Sequence, residues 1–287
     1  MNETIRLIYQ AAKVRLGFLI AACAIAGVSV SPSAGLAPWQ LAVLGLGVLA
    51  SSAAAGAFNQ FWERDLDAQM TRTQTRPFAT GRFGAGAGWP IGLVTVLVGA
   101  LAATAWATNL EATLYVFLGA FTYGVVYTVW LKRRTWWNIV IGGLSGSFAV
   151  MAGAAAVDAT FEPAPLILAI VLFLWTPPHF WAMAFACKRD YQKAGVPMLP
   201  TVVSDDISTR TIFAHAAVLV LLSLVPVAYG MGWIYFAGAA AGGVYFVASS
   251  WQLIRKPTIA QGWRVFAASI VQLGLLLTAA ILDKLLL

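Results

Sequence analysis

Three side chains in the stretch NQFWERDLDAQMTRTQTRPFATGR, residues 59–82, are spaced to act together. Asn59, Glu63 and Asp67 recur at i, i+4 and i+8, which on a helix lines them along one face. An amide oxygen and two carboxylates in a row suit a hard divalent cation. Mg²⁺ takes one or two carboxylates and leaves its other positions to water and substrate phosphates. Asp65 falls on another face. Arg64, Arg72, Arg76 and Arg82 follow, with Arg72 and Arg76 again at i and i+4. Guanidinium groups meet phosphate oxygens bidentately, where a lysine acts as a point charge. A carboxylate row beside an arginine row is what a Mg²⁺-diphosphate requires. The plainer reading is a solvated loop with internal ion pairs. The acid spacing, the arginine spacing and the start of the row at the end of an apolar run together favour a site.

A second polar stretch, LWTPPHFWAMAFACKRDYQKAGVPMLP, covers residues 174–200. His179 follows Pro177 and Pro178 within an apolar run. Two readings stand side by side: a histidine bonded to a carbonyl freed by the prolines, or an iron ligand or proton carrier in a cavity. Lys188, Arg189, Asp190 and Lys193 are expected to face the acids and arginines of the first stretch. Asp190 is a candidate second carboxylate or a partner for a lysine. Between the two stretches, Lys132, Arg133 and Arg134 stand beside Trp136 and Trp137. That pattern reads first as an interfacial anchor, with one of the bases in reach of a phosphate. His215 reads as a packed or hydrogen-bonded histidine, and Gly142 with Gly146 as a helix-packing GxxxG.

These residues need a bilayer to position them. The chain has 287 residues, 60% hydrophobic and 10% charged, with mean hydropathy +0.80. Soluble domains carry roughly a quarter charged residues, so a secreted domain, a coiled coil, a disordered chain and an ordinary cytosolic enzyme are excluded. The long apolar runs also exclude a barrel, which leaves an all-α polytopic membrane protein. A span needs roughly 20 apolar residues. Nine stretches qualify: 16–30, 39–61, 89–108, 112–130, 137–157, 165–186, 211–229, 232–254 and 263–282. The first has the basic flank of a signal peptide, but Ser31-Pro32-Ser33-Ala34 is a poor cleavage site, so it is kept as a helix. The start lacks an Arg- and Ser-rich leader, which favours a bacterial inner membrane over an organelle. With the N-terminus cytoplasmic, all of the 18 basic residues except Lys284 fall inside, and this bias sets the orientation. Both polar stretches then lie at the cytoplasmic face, four spans apart, as if between two halves. The charge is scattered over several loops, which argues against nucleic acid. Cys23 and Cys187 form no disulfide or metal spacing.

The stretch NQFWERDLDAQMTRTQTRP resembles the first signature of the UbiA-type intramembrane prenyltransferases, N-x-x-x-D-x-x-x-D, with Glu63 in place of the first Asp. YTVWLKRRTWWNIVIGGLSGS, WTPPHFWAMAF and KRDYQKAGVPMLPTV narrow the likeness to the haem-farnesylating branch of that superfamily. The resemblance runs from about residue 16 to the C-terminus. The second signature of the relatives is a run of Asp residues; here Cys187-Lys188-Arg189-Asp190-Tyr191 holds one acid, which argues against a second full Mg²⁺ cluster. The resemblance implies a single membrane-embedded prenyltransferase domain over 1–287, about nine helices, and an active site open to the cytoplasm. It implies that the farnesyl group of farnesyl diphosphate is transferred to the 2-vinyl group of haem B, with addition of water, giving haem O and diphosphate. Asn59, Glu63 and Asp67 would hold Mg²⁺, while Arg72 and Arg76 would neutralise the leaving group and His179 would contact haem. Arg64, Lys132, Arg133, Lys188, Asp190 and Tyr191 are the further substrate-binding candidates. Partners are the two substrates and the bilayer, with room for haem A synthase or terminal-oxidase assembly proteins. The alternative is a UbiA-type enzyme with another aromatic or tetrapyrrole acceptor.

Overall fold

A computed structural model describes residues 3–33 and 35–287. Ala34, the last residue of the expected uncleaved turn, lies outside the described residues, as do Met1 and Asn2. Fourteen α-helices account for the architecture, and no strand occurs among the described residues. The first two, α1 (Glu3–Ala11) and α2 (Val14–Ser29), meet at a 49° bend. Lys13 sits at this break with a left-handed backbone, φ 49°. The long helix α3 (Pro38–Trp62) opens on a proline, pre-set for the first helical turn. It leads through Glu63 into the single turn α4 (Arg64–Asp67).

Next come α5 (Gly88–Ala107) and α6 (Leu110–Phe121), the latter capped by the Asn109 side chain, which accepts from Ala112 N at 2.8 Å. α6 runs on without a break into a π-helix over Thr122–Leu131. The expected span 137–157 is carried by α7 (Asn138–Gly142) and α8 (Leu144–Ala155), which meet at Gly143 with its backbone still helical (φ −60°, ψ −26°) and together form one apolar span. α9 (Pro163–Ala186) passes through Pro177 and Pro178 without ending. α10 (Lys188–Lys193) and α11 (Leu199–Val202) are short turns in the second polar stretch. Three long helices close the chain: α12 (Asp205–Leu224), α13 (Trp233–Arg255) and α14 (Ile259–Leu286).

Among the described residues, seven helices are long and apolar enough to cross a bilayer, or eight with the bent pair α1–α2. The remaining expected span, the eighth (232–254), is α13, with 23 residues; its glycines, tyrosines and serines keep its hydropathy below that of the others. Asp283 binds the N-terminus of α13 from the last turns of α14, accepting from Gly232 N at 2.6 Å and Tyr235 N at 3.0 Å. A carboxylate there satisfies donors that no helix can satisfy internally.

Helices that follow each other in the chain pack side by side, and α14 closes the ring against α2 and α9. α2 and α8 cross most closely at Gly27 and Gly153. A Cβ on Gly27 would strike the Val150 carbonyl, and one on Gly153 the Ala24 carbonyl. Bare backbone at both positions is what lets two helices approach this far without a solvent-driven force between them. Gly153→Val is therefore expected to lower the thermal midpoint in detergent by several degrees, as overpacking costs of about 1–3 kcal/mol or more imply. Gly99→Ala, where nothing lies within 4 Å of the added carbon, should leave it unchanged; equal midpoints for both variants would overturn this account.

Candidate active site

The row foreseen along α3 survives the helix break. Glu63 N donates to Asn59 O at 3.0 Å and Asp67 N to Glu63 O at 2.7 Å, so the helical spacing carries through and all three side chains stay aligned. All three are buried. A side-chain cation meets each of them. Lys13 Nζ donates to Asn59 Oδ1 at 2.5 Å and to the Tyr123 hydroxyl at 2.7 Å. Lys132 pairs with Glu63 Oε2. One terminal nitrogen of Arg76 lies 2.9 and 2.8 Å from the two oxygens of Asp67. Burial without these partners would be prohibitive.

Secondary contacts fix the orientation of the row. Asn59 Nδ2 donates to Thr128 Oγ1 at 3.0 Å, and Thr128 donates to the Tyr123 carbonyl at 2.8 Å. The amide is thereby held with its oxygen toward Lys13. The wholly buried Asn138 clamps the turn that carries Lys132: its Nδ2 donates to Thr135 O at 2.6 Å and, across to the second polar stretch, to Pro197 O at 2.8 Å.

A cavity of about 340 Å³ opens from this cluster into the bundle, within the size range of small-molecule sites. Lys13, Asn59, Arg72, Arg76, Lys132, Tyr127 and Tyr191 line its charged end. Its body is apolar, with Leu16, Ile20, Val48, Leu172, Phe180 and Leu273 among the walls. His179 lines it as well, stacked between Trp175 (centroids 4.2 Å apart) and Phe266 (4.5 Å). Its Nδ1 lies 2.7 Å from Ser269 Oγ, so the proposed bond to a proline-freed carbonyl is not made. Glu63 and Asp67 do not line the cavity themselves; Lys132 and Arg76, which do, connect them to it.

Several expected residues are elsewhere. Arg64 folds back onto the end of α3, donating to Phe61 O at 2.9 Å and lying over the Phe61 ring. Arg133 is exposed and lines no part of the cavity. Lys188 pairs with Asp205 at 2.8 Å instead of facing the first stretch. Asp190 touches that stretch only through Thr71, whose hydroxyl donates to it at 3.1 Å. Gly142 makes room for the Tyr127 ring, and both it and Gly146 line the cavity. His215 bonds the Thr211 carbonyl at 2.9 Å within its own helix. Arg72 lines the mouth and has no hydrogen bond or ion pair among the described residues. Lys13, by contrast, belongs by sequence only to the basic flank of the first span. Nothing in its spacing signals the site; only the break in the first span carries it there.

Among the described residues no cluster of three or more His, Cys, Asp and Glu side chains is gathered for a metal. The donor set here is two carboxylates and an amide, and it fits a hard cation on a specific ground: Glu63 Oε1 is buried with no hydrogen-bond partner. An unsatisfied carboxylate oxygen in the same helical row as the Asn59 amide is a donor of the kind Mg²⁺ takes.

A helical bundle with a row of buried oxygens and cations at one end of an apolar cavity is the frame of a membrane-embedded site for a molecule with an anionic head and an apolar body. Residues 20–276 match the UbiA prenyltransferase family, and the chain belongs to it. The chain is 52% identical to protoheme IX farnesyltransferase 2 of Paramagnetospirillum magneticum, over 100% of this chain and 99% of that protein. It is 43% identical to protoheme IX farnesyltransferase 1 of the same organism, over 98% and 99%. Among solved structures, the fold matches a digeranylgeranylglyceryl phosphate synthase (TM-score 0.80, 17% identity, 100% of both chains). It also matches a UbiA homolog from Archaeoglobus fulgidus bound to GPP and Mg²⁺ (TM-score 0.69, 15% identity, 98% of this chain and 100% of that one).

Removing one partner of a buried ion pair strands the other charge and costs roughly 3–5 kcal/mol. Lys132→Met is expected to lose about 3 kcal/mol of stability, the bottom of that range because Lys132 keeps some solvent contact. The double variant Lys132→Met with Glu63→Met should recover most of the loss. Chemical unfolding in detergent measures both; a single variant as stable as the parent would show that the pair is not buried in solution.

Proposed function

We propose that this prenyltransferase transfers the farnesyl group of farnesyl diphosphate to the 2-vinyl group of haem B, with addition of water, giving haem O and diphosphate. The observation that carries the reading is one continuous cavity. Its charged end suits a diphosphate, its body suits an isoprenoid chain, and it presents an imidazole to a third group. Full-length likeness to proteins named protoheme IX farnesyltransferase supports haem as that group. We place the protein in a bacterial inner membrane with its N-terminus and the charged end cytoplasmic, on the bias of basic residues described above.

Asn59, Glu63 and Asp67 are the residues that would hold Mg²⁺. Bound there, Mg²⁺ supplies Lewis-acid stabilisation of the leaving diphosphate. The chain's own cations complete the task. Arg72 is unpaired and exposed at the mouth, so it meets the diphosphate first. Arg76, Lys132 and Lys13 are already held in place by their partners, so little reorganisation accompanies charge build-up as the allylic C–O bond lengthens. The apolar walls keep water from the farnesyl cation until the electron-rich vinyl carbon captures it. Tyr191 lines the charged end and is positioned to contact the diphosphate; Arg64, Arg133, Lys188 and Asp190 have no such role.

The test is to incubate the purified protein with haem B, farnesyl diphosphate and Mg²⁺, with and without chelator, and to follow haem mass by liquid chromatography. A Mg²⁺-dependent gain of one farnesyl unit plus water is expected. Diphosphate release with another aromatic or tetrapyrrole acceptor and none with haem would overturn the acceptor. Asp67→Ala should reduce turnover at least a hundredfold with the protein still inserted. Arg72→Ala should raise KM for farnesyl diphosphate several-fold, and Arg64→Ala should change neither constant.

A further inference from the structure

α9 and α14 are joined at the cavity by one residue. Ser269 of α14 bonds α9 twice: its carbonyl accepts from Trp175 Nε1 at 2.9 Å, and its hydroxyl lies 2.7 Å from His179 Nδ1. The same hydroxyl lies 2.7 Å from the Phe266 carbonyl, to which it donates. A serine hydroxyl has one proton, and a carbonyl can only accept. Turning that proton toward the imidazole would leave two oxygen lone pairs facing each other at 2.7 Å. The hydrogen between Ser269 and His179 must therefore belong to His179 Nδ1. No carboxylate among the described residues hydrogen-bonds the ring, which lies between two aromatic faces, and a charged imidazolium would be costly there. A neutral imidazole has one N–H, so Nε2 keeps its lone pair. Nε2 has no hydrogen-bond partner among the described residues, and the ring lines the cavity.

We propose that Ser269 is a positioning residue: it fixes His179 in the Nδ1–H tautomer and so aims the Nε2 lone pair at the iron of the haem acceptor. The assignment rests on the haem reading above. It separates two roles that the sequence leaves open. A lone pair aimed into the cavity is a ligand, and Nε2 in this tautomer has no proton to give. The aromatic sandwich fixes the plane of the ring, and Ser269 holds one side of that sandwich as well, through Trp175. One α14 residue thus sets the tautomer, and with it the bond on which the acceptor is hung. Partners of this kind, bonded to the far nitrogen of a ligating histidine, raise its basicity and hold its orientation.

The experiment adds haem B, without farnesyl diphosphate, to the purified full-length protein in detergent. Affinity is read from the Soret titration, and the iron–imidazole stretching band from resonance Raman of the ferrous form. The unmodified protein is expected to show the band. Ser269→Ala should bind haem roughly ten- to a hundredfold more weakly, with the band shifted to lower frequency because Nδ1–H has lost its acceptor. Ser269→Thr, which keeps an acceptor oxygen, should restore both. Binding of farnesyl diphosphate with Mg²⁺, measured by calorimetry, should match the parent in each variant, which a general packing defect would not allow. His179→Ala should lose the band. A His179→Ala spectrum identical to the parent's overturns the haem-contact reading itself. A band lost in His179→Ala yet unmoved in Ser269→Ala, with unchanged affinity, overturns the Ser269 assignment alone. Should Ser269→Ala not fold, Ser269→Cys, nearly isosteric and a weak acceptor, gives the same shift if the assignment holds and an unmoved band if it does not.

Discussion

Taking Glu63 and Asp67 out of water at the edge of a bilayer is the costliest act of this fold. Each must find a cation, and the cations come from distant parts of the chain: Lys132 from the turn after the π-helix, Arg76 from the loop after α4. Asn59 adds the same demand at lower cost and draws Lys13 from between the first two helices. Three ties at one end of the bundle bring together α3, the α1–α2 break, the loop after α4 and the end of the π-helix. The apolar helices would pack in many arrangements if only hydrophobicity ruled, since lipid is as greasy as they are. Pairing of buried charge selects among those arrangements, and the cavity is the space left over where the paired groups face inward.

The rest of the site follows a different economy. Its apolar body needs no pairing, so shape alone decides it, and the small residues Gly142 and Gly146 set aside space there. The imidazole of His179 lines this region, and a single hydroxyl proton settles which of its nitrogens is free. The charged end is over-determined by several contacts; the His179 end hangs on one hydrogen bond network between α9 and α14.

What the sequence discloses is what depends on neighbours in the chain. Asn59, Glu63 and Asp67 are legible because a helix converts four-residue spacing into a shared face, and that face persists across the break at Glu63. The spans are legible because bilayer thickness sets their length. Lys13 is illegible: its place in the site depends on a left-handed residue and a 49° bend, neither of which has a signature in its flanking residues. Arg64 and Arg133 are the converse case. They have the right type beside the right motif, yet Arg64 folds onto Phe61 and Arg133, in the turn after the π-helix, faces solvent. Lys188 has the charge to reach across the bundle but pairs with a nearer acid, Asp205, seventeen residues on. α13 shows that hydropathy tracks composition, so a helix built of glycine, alanine and tyrosine reads more weakly than its length warrants.

The π-helix over Thr122–Leu131 has a further consequence for how this chain can vary over evolutionary time. Its backbone closes over five residues, as in the bond from Lys132 N to Tyr127 O at 2.9 Å, so it winds more slowly than the α-helix it continues. Each residue added to or taken from an α-helix rotates everything after it by about 100°. The stretch therefore acts as a phase adjuster between α6 and Lys132, and its residue count determines whether the lysine faces Glu63 or lipid. A deletion of one residue here, though it alters no side chain of the site, would undo the site as surely as replacing the lysine. In this helix the number of residues is as much a part of the active site as their identity.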